Sequence, residues 1–274
     1  MTVREALRTA RRELVRRHVP SAGLTAEVLL CHVLGRDRAW LFAHPEEALS
    51  AEEERAYEEC LRRRAAGEPT QYITGVQEFY GRPFRVTPDV LIPRPETEFV
   101  VEAALEAGGV KTIVDAGCGS GAIAVTLALE TRARVIATDI SRAALAVAQE
   151  NARRLGAAVE FIECDLLSAF ASGAADLVVS NPPYVPEGEV AGLPREVREH
   201  EPAVALDGGA EGLDYYRRLV EEAPRVLRPG GRLIVELGIR QMEAVIEMAR
   251  ERWEPVKKLS DLAGLPRVLV LRMR

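Results

Sequence analysis

Thr112-Ile113-Val114-Asp115-Ala116-Gly117-Cys118-Gly119-Ser120-Gly121-Ala122-Ile123-Ala124-Val125 runs from a short apolar strand through three alternating glycines into an apolar helix. Glycine lets a backbone turn sharply and approach a ligand closely. A glycine loop between strand and helix is how an open α/β sheet builds a ligand site at the carboxyl end of a strand. The stretch also satisfies the dinucleotide fingerprint, with Ala122 in the last small position, so a nicotinamide or flavin site is the competing reading. Asp115 argues against it, because a carboxylate just before the loop repels a pyrophosphate and suits a ligand with cationic groups and no phosphate. Ser120 forms no nucleophile elbow, since G-x-S-x-G needs glycine where Cys118 and Ala122 stand.

Outward from the loop, strand and helix patterns alternate, which predicts a doubly wound, mostly parallel sheet. The next strand, 134–139, ends in Asp139, close to the roughly 20-residue spacing at which a carboxylate holds ribose hydroxyls. Ser141 caps a helix that runs through Asn151 to Gly156, and a third strand, 159–165, ends in Asp165, where a carboxylate can accept from an adenine amino group. One strand-end Asp is as well explained as a cap or turn residue. Several at successive strand ends mark the edge where ligands of such sheets gather. Further strands are expected at 232–237, 255–260 and 267–272, the last after the turn Ala263-Gly264-Leu265-Pro266.

The apolar run 175–180 ends in Asn181-Pro182-Pro183-Tyr184. By itself this is a plain strand-terminating turn as readily as a site. As a site, the Asn181 side-chain carbonyl and the Pro182 backbone carbonyl each accept one hydrogen of a planar –NH2 group, with Tyr184 covering its face. Acceptors placed where positive charge builds on nitrogen stabilise a transition state more than a ground state.

Residues 2 to about 66 read as short amphipathic helices, one capped by Ser50 ahead of Glu52, Glu53 and Glu54. Residues 76–95 carry Gly81, Pro83, Pro88, Pro93 and Pro95 among strand formers and suggest a hairpin connector. The expected division is therefore a helical domain at 1–75, a connector at 76–95 and the α/β domain at 96–274. With 274 residues and 47% hydrophobic content the chain can bury a sizeable core. The charged start after Met1 and the lack of a long apolar run predict a cytoplasmic protein with no membrane segment. The cysteines show no C-x-x-C spacing and the histidines no metal motif, so no metal is expected. A net charge of −6 argues against non-specific nucleic-acid binding. Charge is uneven, however: Arg4, Arg8 and Arg12 stack on one side of the first helix, a solvated face or a docking face.

Taken together, the residues at 117–121, Asp139, Asp165 and the 181–184 turn resemble the class I, Rossmann-like S-adenosylmethionine-dependent methyltransferases that act on amino or amide nitrogen. Gly67-Glu68-Pro69-Thr70-Gln71-Tyr72-Ile73-Thr74-Gly75, Glu78-Phe79-Tyr80-Gly81, Val90-Leu91-Ile92-Pro93-Arg94-Pro95-Glu96-Thr97-Glu98, Glu201-Pro202 and Ala205-Leu206-Asp207-Gly208-Gly209 narrow this. They are similar to the peptide chain release factor N5-glutamine methyltransferases of the HemK type. The resemblance implies a seven-stranded sheet with its final strand antiparallel, a helical domain that docks the substrate protein, and S-adenosylmethionine as methyl donor. It implies methylation of the glutamine side-chain amide in the Gly-Gly-Gln loop of class 1 release factors, with no direct nucleic-acid binding. Gly117, Cys118, Gly119, Ser120 and Gly121 would then line the methionine part of the cofactor, Asp139 the ribose, and Asp165 with Leu166 the adenine. Asn181 would also touch the cofactor, and Asn181, Pro182, Pro183 and Tyr184 would hold the glutamine. Arg94, Glu96 and Thr97 would border the substrate opening, and Glu236 would help a proton leave or serve structure alone. The alternatives are a DNA or RNA exocyclic-amine methyltransferase working on a flipped base, and a cofactor-binding scaffold without catalysis.

Overall fold

The computed structural model describes residues 1–261 and 263–274, which fall into two compact units. One comprises Met1–Val76 with Pro194–His200, the other Gln77–Leu193 with Glu201–Arg274.

The first unit is helical: α1 Val3–Arg16, α2 Ala22–Leu34, α3 Arg38–Ala43, α4 Ala51–Ala65 and α5 Thr70–Thr74, with the short helix Arg195–His200. Capping boxes start two of them. In α1 Thr2 and Glu5 exchange side-chain and backbone bonds, and in α4 Ser50 and Glu53 do the same, as the Ser50 signature predicts. Leu14, Leu29, Leu30, Leu41 and Tyr57 fill the interior, and the Tyr57 hydroxyl donates to the Ala26 carbonyl at 2.9 Å. The buried Arg64 guanidinium pairs with Glu196 at 2.5 Å.

The second unit, from Gln77, opens within a hairpin of β1 Val76–Phe79 and β2 Arg82–Arg85. Tyr80 and Gly81 at its tip both have positive φ, 51° and 70°, as a two-residue turn matched to strand twist requires. Phe79 and Phe84 meet edge to face at 5.9 Å inside the main core. From Gln77 on, the hairpin lies in the same compact unit as the sheet, and its two phenylalanines share the sheet's core.

Seven strands follow: β3 Thr112–Ala116, β4 Arg134–Asp139, β5 Val159–Glu163, β6 Ala175–Ser180, β7 Leu227–Glu236, β8 Trp253–Ser260 and β9 Pro266–Met273. Their order is β5-β4-β3-β6-β7-β9-β8, with β9 antiparallel to both its neighbours and the other pairings parallel. Interspersed are α6 Glu98–Glu106, α7 Ala122–Glu130 and α8 Arg142–Leu155, then helices Asp214–Val226 and Met242–Ala249. Every residue of β3 is buried. Ile113 joins the core packed by α6, α7 and α8, whereas adjacent Val114 joins the core packed by the two later helices. That alternation is the period of a strand covered on both faces.

β7 starts five residues before the expected 232. Pro229, Gly230 and Gly231 look like a turn in the sequence, but they form an irregularity inside the strand, where pairing jumps from Leu227 to Arg232 opposite Ala175 and Leu177.

Chain order departs from β3 toward β4 and β5 on one side and resumes with β6 and β7 on the other. The switch point therefore lies between β3 and β6, at their carboxyl ends, where an open sheet leaves a crevice.

Candidate active site

β3 and β6 run side by side with Asp115 opposite Val179, so the glycine loop leaving β3 and the Asn181 turn leaving β6 open at the same edge. Between them lies a cavity of about 1060 Å³ including its open mouth. Its wall includes Gly117, Cys118, Gly119, Ser120, Asp139, Asp165, Leu166, Asn181, Pro182 and Pro183. All come from the residues singled out in the sequence.

The loop is held by its own backbone. The amides of Gly117 and Cys118 both donate to the Thr138 carbonyl, at 2.9 and 2.8 Å. Gly117 and Gly119 have φ of 75° and 53°, which side-chain-bearing residues rarely adopt. Gly121 shares that conformation at φ 80°, and in addition a Cβ there would stand 3.0 Å from the Ala148 Cβ. Its glycine serves the approach of α7 to α8, and it does not line the cavity. Asn151 on α8 braces the same loop by donating to the Ser120 carbonyl at 2.9 Å, while its side chain also exchanges two bonds with the Arg85 backbone. Burial pushes the Cys118 thiol well above its ordinary value, so it stays neutral and serves as a small wall residue.

Asp115 is fully buried and off the wall. One of its oxygens accepts from the Ala124 amide at 3.0 Å; the other has no partner among the described residues. Ala124 is in the first turn of α7, whose cap residue Gly121 has no side chain, so Asp115 does the work of an N-cap from the strand. Burial pushes its carboxyl up to about 7. Discrimination against a phosphate thus lies with the wall itself, where Asp89, Asp139 and Asp165 appear and, among the described residues, no lysine, arginine or histidine does.

Asp139 accepts from the Gly119 amide and the Ser141 amide, each at 2.8 Å. Burial raises its carboxyl and those amide bonds oppose the rise. The half-exposed Asp165 carboxylate pairs with Arg218 at 2.9 Å. Leu166, at φ 45°, is buried, and its carbonyl accepts from the Thr138 hydroxyl at 3.0 Å, which presents the residue to the cavity as apolar lining.

The Asn181 amino group donates to the Thr97 hydroxyl oxygen at 3.1 Å, and the Thr97 hydroxyl donates to Glu236 at 2.6 Å. Tyr184 is off the wall, and its hydroxyl donates to the other Glu236 oxygen at 3.3 Å. Thr97 and Glu236 are both buried, and burial pushes the Glu236 carboxyl up to about 7 against the two hydroxyl bonds.

Arg94 and Glu96 are not on the wall. Arg94 donates to the buried Glu201 carboxylate at 2.6 Å, whose second oxygen accepts from the Ile92 amide at 3.2 Å. This clamp joins two wall segments, one with Val90, Leu91 and Pro93 and one with Pro202, Val204 and Ala205. Asp89, Ile140 and Tyr215, which no sequence motif marked, also line the cavity. For Ile140 a signal existed: it directly follows a strand-end acid.

The wall fits S-adenosylmethionine. Backbone and apolar surface suit a nucleoside and a thioether chain, carboxylates suit hydroxyls and cationic groups, and nothing basic awaits a phosphate.

Comparison with known proteins agrees. Residues 5–75 match the PrmC N-terminal domain family, and residues 96–193 match the methyltransferase small domain family. The release factor glutamine methyltransferase of Koribacter versatilis is 48% identical over 277 residues, covering 99% of each chain. That of Moorella thermoacetica is 47% identical over 282 residues, covering 100% of this chain and 99% of its own. Among solved structures, a methyltransferase from Pyrococcus furiosus superposes with a TM-score of 0.55 at 18% identity, over 71% of this chain and 90% of that one, a likeness of fold. With a seven-stranded methyltransferase sheet, an acid-lined crevice at its switch point and relatives nearly half identical from end to end, this chain belongs to the release factor glutamine methyltransferase family.

Proposed function

We propose that this protein methylates the side-chain amide nitrogen of the glutamine in the Gly-Gly-Gln loop of class 1 peptide chain release factors. The observation that carries the reading is the Asn181 turn on the wall of an acidic cavity, with its amino group engaged by Thr97. An amide turned that way has its carbonyl left for an incoming –NH2 group.

S-adenosylmethionine, when bound, supplies an electrophilic methyl carbon whose departing partner is neutral S-adenosylhomocysteine. The protein's own task is placement. Gly117, Cys118, Gly119 and Ser120 would border the methionine part, Asp139 the ribose, and Asp165 with Leu166 the adenine. Asn181 and Pro182 would accept the two amide hydrogens of the glutamine, loosening its resonance and facing the charge that builds on nitrogen. Pro183 would flank the slot, with Tyr184 behind the turn. Correct placement of two reactants accounts for up to ~7–11 kcal/mol in well-oriented cases. The methylated nitrogen is then acidic enough to lose its extra proton to water, so no strong base is required.

The helical unit is the docking element of this proposal. Arg8, Arg11, Arg12 and Arg16 of α1 flank a groove with Leu7 and Val15, a surface suited to an acidic partner segment. Among the described residues no helix is long and apolar enough to cross a membrane.

The test is methyl transfer from labelled S-adenosylmethionine to a purified class 1 release factor and to its Gln→Ala loop variant. Mass spectrometry should find one added methyl on the loop glutamine and none on the variant. Label in DNA or RNA, with none in the release factor, would replace this function with nucleic-acid methylation.

A further inference from the structure

We propose that Thr97 and Glu236 are positioning residues for Asn181: Glu236 takes the Thr97 hydroxyl proton, the Thr97 oxygen is left as an acceptor only, and Asn181 must then present its amino group to Thr97 and its carbonyl to the substrate. The inference rests on the reading of residues 181–184 as the amide-holding turn.

A side-chain amide has nearly the same shape in its two flipped orientations, which exchange a double donor for an acceptor. Only one of them serves here. The flipped form would set –NH2 of Asn181 against –NH2 of the target, so something must choose. Thr97 can choose, because a hydroxyl has one proton to give. It stands 2.6 Å from the Glu236 carboxylate and 3.1 Å from Asn181, and the shorter bond to a charged acceptor is the stronger. The proton therefore lies toward Glu236.

The carboxylate is itself fixed from several sides. Tyr184 donates to its second oxygen at 3.3 Å, and the Tyr216 hydroxyl donates to the Glu236 backbone carbonyl at 2.9 Å. The charged groups facing it are Glu96, just before Thr97, and Arg267 on β9, and Arg267 is paired with Asp261 at 2.8 Å. Glu236 is thus a carboxylate only 2% exposed with no ion-pair partner in contact among the described residues. Such a placement is unfavourable for stability alone. An acceptor for one particular proton accounts for it.

Protonation should undo the arrangement. A proton on the Glu236 oxygen facing Thr97 makes that oxygen the donor, and the Thr97 hydroxyl is then free to donate toward Asn181, favouring the flipped amide. Activity should fall on the acid side of the Glu236 ionisation, whose carboxyl burial raises toward neutrality.

The experiment uses the full chain with S-adenosylmethionine and release factor. Thr97→Val should lower kcat about 10²-fold, the scale of a small misplacement, with little change in the KM for cofactor. Thr97→Ser should restore most of the rate, and Thr97→Ala stands in if the valine variant does not fold. The acid limb of the wild-type pH profile should be absent from Thr97→Val. Hydrogen exchange of the Asn181 side-chain amide, followed by NMR without substrate, should be slow in the wild type and Thr97→Ser and fast in Thr97→Val. This last readout does not depend on the substrate: slow exchange lost in Thr97→Val, in a wild type that methylates no glutamine, upholds the positioning and removes the function. Wild-type kcat in Thr97→Val, equal losses in the serine and valine variants, or unchanged Asn181 exchange would overturn the proposal.

Discussion

The Asp139 carboxylate holds the Gly119 amide at 2.8 Å through one oxygen and the Ser141 amide at 2.8 Å through the other, so a single side chain at the end of β4 ties the ligand loop to the start of α8. Its removal should act twice, deleting the acceptor proposed for the ribose and releasing the loop. Asp139→Ala should weaken S-adenosylmethionine binding by about 1.5–3 kcal/mol, the range for hydrogen bonds to a charged group. Calorimetry is the check. Unchanged affinity in a folded variant would take Asp139 out of the site.

Asn181 separates chemistry from binding. Asn181→Ala should cut turnover by roughly 10²–10³, the loss expected when one preorganised polar group is deleted from a developing charge. Cofactor affinity should fall far less, because the wall opposite the turn is intact. Near-normal turnover on release factor would end the amide-holding role.

The cavity positions of these two residues were legible because Asp139 ends a strand and Asn181 directly follows one, each on a recognisable local pattern. The sheet, too, follows from alternation, and the cap at Ser141 and the left-handed Gly156 bound α8 where the chain chemistry places them. What could not be read is long-range pairing. Thr97 meets Asn181 across 84 positions and Glu236 across 139, and Arg64 finds Glu196 across 132. No periodicity encodes such meetings. Asp115 shows the opposite failure: its type and place were plain, but whether it faced ligand or helix depended on which side of β3 carried the loop.

Asp115 should reveal itself through pH. Its folded carboxyl lies near 7 against an ordinary 3.8, so the folded state holds this proton more tightly than the unfolded chain. Its stabilising contribution is full below 3.8 and is lost as pH rises through about 7, at about 1.4 kcal/mol per pH unit between the two values. Asp115→Asn keeps an acceptor for Ala124 and has no such dependence. In thermal melts without cofactor, the variant should gain on the wild type between pH 5 and pH 8. A gap that stays constant with pH would show that the carboxyl is not raised.

The Arg94 clamp gives a stability prediction. The Glu201 side chain is 1% exposed and Arg94 30% exposed, so Arg94→Ala would strand a buried carboxylate that keeps its bond from the Ile92 amide but has no cation beside it among the described residues. The loss should be roughly 3 kcal/mol, the low end for breaking a buried pair from one side. Adding Glu201→Gln should recover part of it, since the buried charge is then gone. Equal melting temperatures for wild type and Arg94→Ala would mean that solvent already satisfies Glu201.

Gly212 tests how far outside the cavity the turn is supported. The chain beyond Tyr184 is braced by Leu206, whose carbonyl accepts from the Val185 amide at 2.9 Å, and by Gln241, whose amino group donates to the Tyr184 carbonyl at 2.9 Å. Gly212 packs into the same corner at φ 71°, and a Cβ there would collide with the Tyr184 carbonyl and 2.7 Å from the Gln241 amino group. Backbone cannot yield as a flexible side chain does, so Gly212→Ala must push the segment of residues 181–185 or lose the Gln241 bond. A displacement of even 1 Å in the turn can cost about 10²-fold in rate, whereas the glycine loop and Asp139 lie on other strands and keep their geometry. Gly212→Ala should therefore lose most of its kcat on release factor while binding S-adenosylmethionine nearly as before. Loss of cofactor affinity in step with kcat would show instead that the corner supports the whole cavity.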